Sequence, residues 1–374
     1  MPGWWPWSFN MDYTRAGAGT KSVRIYVLLS ISIVFFIAAR IFPGRGLNPL
    51  KKEMVEASQL MAQAADILRA CLEAKGVPID RTYDINATGL IGVEFSSITT
   101  SIGQLEAKRT SADPNFAGLL VYLLRKTGVR NGDVIAVGAS GSFPALITAV
   151  LAASKAMEIK PLIICSIGAS QWGANNPDFL LLDMQRCLAE QGIFSTLPIA
   201  YSLGGNRDIG EDMSKPGREK LAQEIRKSGV LFLSEPDLEK NVARRMELYQ
   251  KGADLSPIRA FVNIGGSWAN MGTDSRILEV KPGLAHIVDF PPVEKQGMIF
   301  AMAAKNVPVI HCLFIKGLAG KYGLEWDHSP LPKPGESRLY SLVAVDQKVF
   351  LLIAAGYFIC IFLACFIHKK WLIA

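Results

Sequence analysis

Three apolar runs in this chain end in nearly the same phrase: VIAVGASGS at 134–142, LIICSIGASQW at 162–172 and FVNIGGSWANMG at 261–272. Each run can be buried on both faces, as strands of a parallel sheet are, and each then passes through glycine and a small residue to Ser140, Ser170 or Ser267. The first two lie about one strand–helix–strand unit apart. In an open α/β sheet, loops leaving neighbouring strands at their carboxyl ends line one crevice, and ligands bind there. The three serines are therefore candidates for a single site.

The surrounding pattern supports such a sheet. Asn48 and Pro49 cap a helix that runs to about Lys75 and stops at Gly76 and Pro78. Residues 80–110 are irregular and rich in Gly, Ser and Thr. From Asp113 and Pro114, which open a helix to about Thr127, the pattern turns regular. Strands are expected at 133–138, 161–167, 197–203, 230–233 and 259–264, and weaker ones at 286–290 and 307–310. Helices are expected at 143–157, from Asn176 to Gly192, and at 216–228, 236–251 and 295–304. Strands that alternate with helices predict an α/β fold with a doubly wound, mostly parallel, Rossmann-like sheet. No linker divides it, so residues 113–346 read as one α/β domain, preceded by a helix plus a polar, lid-like segment at 43–112.

Half of the 374 residues are hydrophobic and the mean hydropathy is +0.24. The excess sits at the two ends. Residues 349–367 (VFLLIAAGYFICIFLACFI) are uncharged and about as long as a bilayer core requires, and His368, Lys369, Lys370 and Trp371 follow at once. A buried core helix would not end on such an interfacial cluster, so 348–367 reads as a transmembrane helix with a basic tail at 368–374. Residues 25–39 are shorter, but Arg24 and Arg40 can snorkel, and no small-residue cleavage site follows. A retained signal-anchor at 23–42, after a tail at 1–22 that carries Trp4, Trp5 and Trp7, is favoured over a removed signal peptide. The three hundred or so residues between the spans exceed the range over which basic residues set topology. The basic tail points to cytoplasmic termini and an extracytoplasmic α/β domain at the cell membrane.

Cys71, Cys187 and Cys312 have neither metal-ligand spacing nor an obvious pairing, so no disulfide framework, metal site or cofactor is expected. The net charge of +7 is partly juxtamembrane, which gives nucleic acid little support as a partner and leaves an anionic ligand open.

In GASGSF, Gly138 and Gly141 allow close backbone approach, and the amides and hydroxyls of Ser140 and Ser142 stand where a helix begins. That is a cradle for a phosphate or carboxylate. The other loop ends supply Ser170, Trp172, Asn206, Ser267 and Trp268 as further ligand-binding candidates, although Gly and Asn at a single strand end need signify only turn geometry. The same letters approximate a G-x-S-x-G nucleophile elbow with Ser140 as nucleophile. Its acid would be Asp183 or Glu235, and its histidine His286, His311 or His328. Asp183 lies among apolar neighbours, where a carboxylate facing the crevice would gain acid–base potential. The hydroxyl-rich run at 89–116 reads either as a solvated loop or as a lid that brings Glu94 and Arg109 over the site. The planar fork of Arg109 suits a carboxylate.

Four phrases, GLIGVEFSSITTSIGQLEAKRTSADPNFA from Gly89, VGASGSFPAL from Val137, SIGASQWGANNPDFLLLDMQ from Ser166 and NIGGSWANMG from Asn263, carry a resemblance. Together they are similar to the family described as poly-gamma-glutamate system proteins, bacterial membrane proteins associated with making and exporting a γ-linked glutamate polymer, a capsule-type material. The resemblance implies an accessory role in that pathway, with the anionic polymer or its precursor, the membrane and other synthesis or export subunits as partners. It implies no particular reaction. Three readings follow: a protein that binds or processes an anionic γ-glutamyl ligand, a Ser140-based hydrolase or amidase acting on the polymer, and a non-catalytic scaffold of a membrane synthase or exporter.

Overall fold

The computed structural model describes residues 16–41, 48–254, 256–341 and 347–371. The expected aromatic opening at Trp4, Trp5 and Trp7 lies outside the described residues, as do the side chains of Arg24, Arg40 and His368 to Trp371. The chain forms two units, one of the terminal segments and one from Pro49 to Leu342.

In the second unit, α2 (Lys51–Ala74) begins just after the expected Asn48–Pro49 cap, and α3 (Leu105–Ser111) and α4 (Asn115–Lys126) follow. Then β1 (Val134–Ser140), α5 (Pro144–Ala156), β2 (Lys160–Ser166), α6 (Leu181–Glu190), β3 (Ala200–Ser202), α7 (Lys215–Lys227), β4 (Leu231–Phe232), α8 (Leu238–Ala253) and β5 (Ile258–Ile264) alternate. The short α9 (Trp268–Met271), β6 (Gly283–Leu284), α10 (Met298–Ala304), β7 (Val309–Cys312) and α11 (Ile315–Tyr322) complete it.

The seven strands are ordered β4-β3-β2-β1-β5-β7-β6. All pairings are parallel except that of β6 with β7. Period-two alternation divides β1 between two cores. Ile135 and Val137 join the helices α2, α4, α5 and α6 on one face, while Val134 and Ala136 meet α8 and α10 on the other. That is the double winding the alternation predicts. Chain order runs from β1 outward through β4 and then resumes on the other side of β1 with β5. The topological switch point therefore lies between the carboxyl ends of β1 and β5.

Two expectations, the strand at 286–290 and the absence of a disulfide, are overturned. The expected strand at 286–290 is instead the two-residue β6, because the following PPVEK sequence supports a 3-10 turn at Val293–Lys295. The irregular 80–110 stretch, expected as loop with short elements, holds such an element at its end in the seven-residue α3. Cys71 and Cys187 form a disulfide between α2 and α6 across 116 residues. No local spacing announces that pair, since it depends on two helices meeting in the fold.

The terminal segments form α1 (Ala16–Ile41) and α12 (Gln347–Trp371). The two helices pack together through Phe35 and Tyr357, whose rings lie edge to face at 5.5 Å, and through the Ser32 and Tyr357 hydroxyls at 3.2 Å. Ile25, Val34, Phe36, Leu351, Phe358 and Phe362 are exposed along them. Among the described residues no helix is long and apolar enough to cross a membrane.

A candidate site at the switch point

A crevice of about 550 Å³ opens at the carboxyl ends of β1, β2 and β5. Ser140, Ser142, Ser170 and Ser267 all line it, so the three repeated strand ends do converge. The reason is the register. β2, β1 and β5 are adjacent, with Ser140 level with Ser166 and Ala139 level with Ile264, so the loops leave at one height.

The first two loops are stitched together. Ser140 donates its hydroxyl to Ser142 Oγ at 3.1 Å, and Ser142 Oγ accepts from the Ser170 amide at 3.0 Å. The Gly141 amide donates to Ser166 O at 2.8 Å. A Cβ on Gly141 would stand 2.5 Å from Ile167 O, so only glycine permits this approach. Gly138 lies behind the wall, where a Cβ would strike the Asn270 amide at 2.6 Å.

The third loop contributes Ser267 and Trp268. Ser267 is buried, and its hydroxyl makes no hydrogen bond among the described residues. A buried hydroxyl without a partner is uncommon, and here it belongs to a residue of the crevice lining, although the oxygen itself is closed off from water. Asn206 lines the opposite rim, its amide donating to Glu211 at 2.7 Å, and Asp212 beside it accepts from the Asn206 backbone.

The hydroxyl-rich segment does form a wall, through Thr100, Ser101, Gly103 and Gln104. It delivers a residue that motif reading passes over. Lys108, on α3, is 3 % exposed. Its Nζ donates to Ser142 O at 2.5 Å and to Ser170 Oγ at 2.7 Å, and it lies 3.9 Å from the centroid of the Phe143 ring. Among the described residues no carboxylate is paired with it. Burial pushes the Lys108 ammonium down to about 7, because the charged form loses water and gains no counter-ion. The only sequence signal was a lysine in a run otherwise rich in small polar residues.

Other expected residues lie elsewhere. Arg109 faces away from the crevice and holds Asp327 through two hydrogen bonds of 2.6 Å. Glu94 is exposed and accepts from the Tyr83 hydroxyl at 3.1 Å. Trp172 packs on Tyr83, outside the crevice lining. Asp183 caps α6 by accepting from the Leu180 amide at 2.8 Å, and it pairs with Lys75 at 3.0 Å. Glu235 accepts from the Asp237 amide at 3.0 Å. No histidine lines the crevice. His286 is exposed, and His328 pairs with Glu325 at 3.0 Å. His311 is buried in β7 beside Asn263, at 3.0 Å, and burial pushes its imidazole down to about 4. A Ser140–His arrangement is therefore not assembled among the described residues, and none of their His, Cys, Asp and Glu side chains cluster as a metal site would.

Comparison with family models, with curated proteins and with solved structures gives no match.

The crevice itself thus offers a hydroxyl chain, an unpartnered serine and one buried amine that is poised to gain or lose a proton near neutrality. Such a set can stabilise a carboxylate, whose charge would supply the counter-ion Lys108 lacks, or it can move a proton to and from a serine.

Proposed function

We propose that this chain is a membrane-anchored α/β accessory protein that binds or processes an anionic γ-glutamyl polymer, or its precursor, in the crevice at the carboxyl ends of its sheet. The observation that carries the reading is Lys108, a buried amine on the crevice wall with no acidic partner. An incoming carboxylate stabilises its charged form and gains a charge-assisted hydrogen bond. The Ser140 and Ser142 hydroxyls line the same crevice. The resemblance of the four quoted phrases points to the same ligand class.

Two features support the membrane setting. The 349–367 run is apolar throughout in sequence, and α1 and α12 turn large apolar side chains outward where water would otherwise meet them. The Cys71–Cys187 disulfide supports an extracytoplasmic domain, because disulfides persist in oxidising compartments.

The test is binding of short γ-linked glutamate oligomers to the full chain in detergent micelles, by calorimetry. Saturable binding that weakens with salt, and that falls by about tenfold or more in Lys108→Met, is expected. A folded wild-type protein without affinity for the oligomer overturns the reading.

A further inference from the structure

We infer that Ser170 and Lys108 form a nucleophile–base pair for acyl transfer at an amide carbonyl bound in the crevice. This assignment rests on the proposed γ-glutamyl ligand only for the identity of that amide. The pair itself rests on geometry. Ser170 Oγ and Lys108 Nζ are 2.7 Å apart on the crevice wall, within reach for direct proton transfer.

Three features separate this pair from a structural hydrogen bond. Lys108 is held on two further sides, by Ser142 O and by the face of Phe143, so its amine cannot swing out to solvent. The Ser170 amide is engaged by Ser142 Oγ, which fixes the backbone that presents the hydroxyl. Among the described residues no carboxylate neutralises the amine, so the neutral form with its free lone pair is accessible near neutral pH. Serine–lysine pairs are an established variant of the serine–histidine arrangement, and here the histidine positions lie away from the crevice.

The step balances without a co-reactant other than water. Ser170 gives its proton to Lys108 Nζ as the Oγ–C bond forms at the amide carbonyl. The C–N bond then breaks, and the departing nitrogen takes that proton from Lys108. Water, deprotonated by the same amine, cleaves the resulting ester, releases a carboxylic acid and restores the Ser170 hydroxyl.

The experiment treats the full chain in detergent micelles with a fluorophosphonate and maps the adduct by peptide mass spectrometry, in parallel with incubation with γ-linked glutamate oligomers. The expected result is an adduct on Ser170, formed at a rate that rises through about pH 7, together with oligomer cleavage. Adduct formation and cleavage are lost in Ser170→Ala and fall roughly a hundredfold or more in Lys108→Met. An adduct on Ser140 or on any other residue overturns the pair, as does the absence of both adduct and cleavage in folded wild-type protein. The wild-type map locates the nucleophile even if Ser170→Ala fails to fold. Oligomer binding without adduct or cleavage sinks the pair alone. An adduct on Ser170 without oligomer affinity leaves the pair standing and sinks the γ-glutamyl ligand.

Discussion

Asp208 and Arg245 meet at 2.7 Å with almost no solvent contact, beneath the loop that brings Asn206 to the crevice rim. Asp208 also accepts from Ser202 Oγ at 2.7 Å and from Asn241 Nδ2 at 3.1 Å, so its carboxylate is fully engaged. Its backbone is left-handed, with φ of 62°, which a non-glycine residue sustains only when its surroundings impose it. Arg245→Met should cost about 3–5 kcal/mol, since it strands a buried carboxylate. Replacing both partners with apolar residues should recover much of that loss. Denaturant midpoints of the three variants check the pattern.

Lys108 makes stability depend on alkaline pH. Its folded value, about 7, lies below the ordinary 10.5, so between those values the unfolded chain binds more protons. Stability should therefore rise with pH across that window, by up to about 1.4 kcal/mol per pH unit. Lys108→Met should abolish the slope and raise the melting temperature at neutral pH. Thermal melts at about pH 7 and about pH 9.5 measure it.

His311 and Asp113 act in opposite directions on the acid side. His311 is held neutral down to about 4, so the unfolded chain gains a proton first, and stability falls as pH drops from its ordinary 6.5. Burial pushes Asp113 up to about 6, against hydrogen bonds from Asn115, and one of its carboxyl oxygens has no partner. Its carboxyl is protonated first in the folded state, so this group favours folding as pH falls from about 6 toward 4. His311→Gln should lose less stability than wild type on acidification, and Asp113→Asn more. Denaturant titrations across that range decide the signs.

Gly92 marks where the hydroxyl-rich segment is clamped to the sheet. A Cβ there would stand 1.9 Å from Gly173 O and 2.3 Å from Asn175 Oδ1. Asn175 in turn bonds the Val93 amide and carbonyl and the Thr99 hydroxyl. Gly92→Ala should cost about 1–3 kcal/mol by forcing the two backbones apart. Limited proteolysis should then cut within 93–104, and a variant that is as resistant as wild type would refute the clamp.

Removing the Cys71–Cys187 bond by paired serine substitution should lower stability by about 2–5 kcal/mol. Alkylation without reductant should modify at most the four remaining thiols, Cys165, Cys312, Cys360 and Cys365.

Much of the sheet was legible because its strands are buried on both faces and announce themselves as continuous apolar runs. β1, β2 and β5 fall within a residue or two of expectation, and their repeated Gly-small-Ser ends read correctly as one crevice. Legibility failed where meaning depends on what lies across space. Lys108 and Arg109 are neighbours with the same charge, yet one faces the crevice without a counter-ion and the other is absorbed by Asp327, 218 residues away. Nothing local separates them. Asp183 and Glu94 looked chemically available for the same reason, and the folded chain engages them with a helix end and a tyrosine. Cys71 and Cys187 meet only because α2 lies along α6.

That disulfide has a consequence for how the crevice is assembled. It closes a covalent ring from Cys71 to Cys187, and Lys108, Ser140, Ser142 and Ser170 all fall inside it, whereas Ser267 and Trp268 fall outside. One side of the crevice is thus a tethered circuit containing the amine and every hydroxyl it touches. The facing side is joined to it without a covalent cross-link, through β1–β5 pairing, a shared core and contacts such as the Tyr249 hydroxyl to Val137 O. Any local opening that leaves the disulfide intact therefore keeps Lys108 and Ser170 within one closed loop of chain.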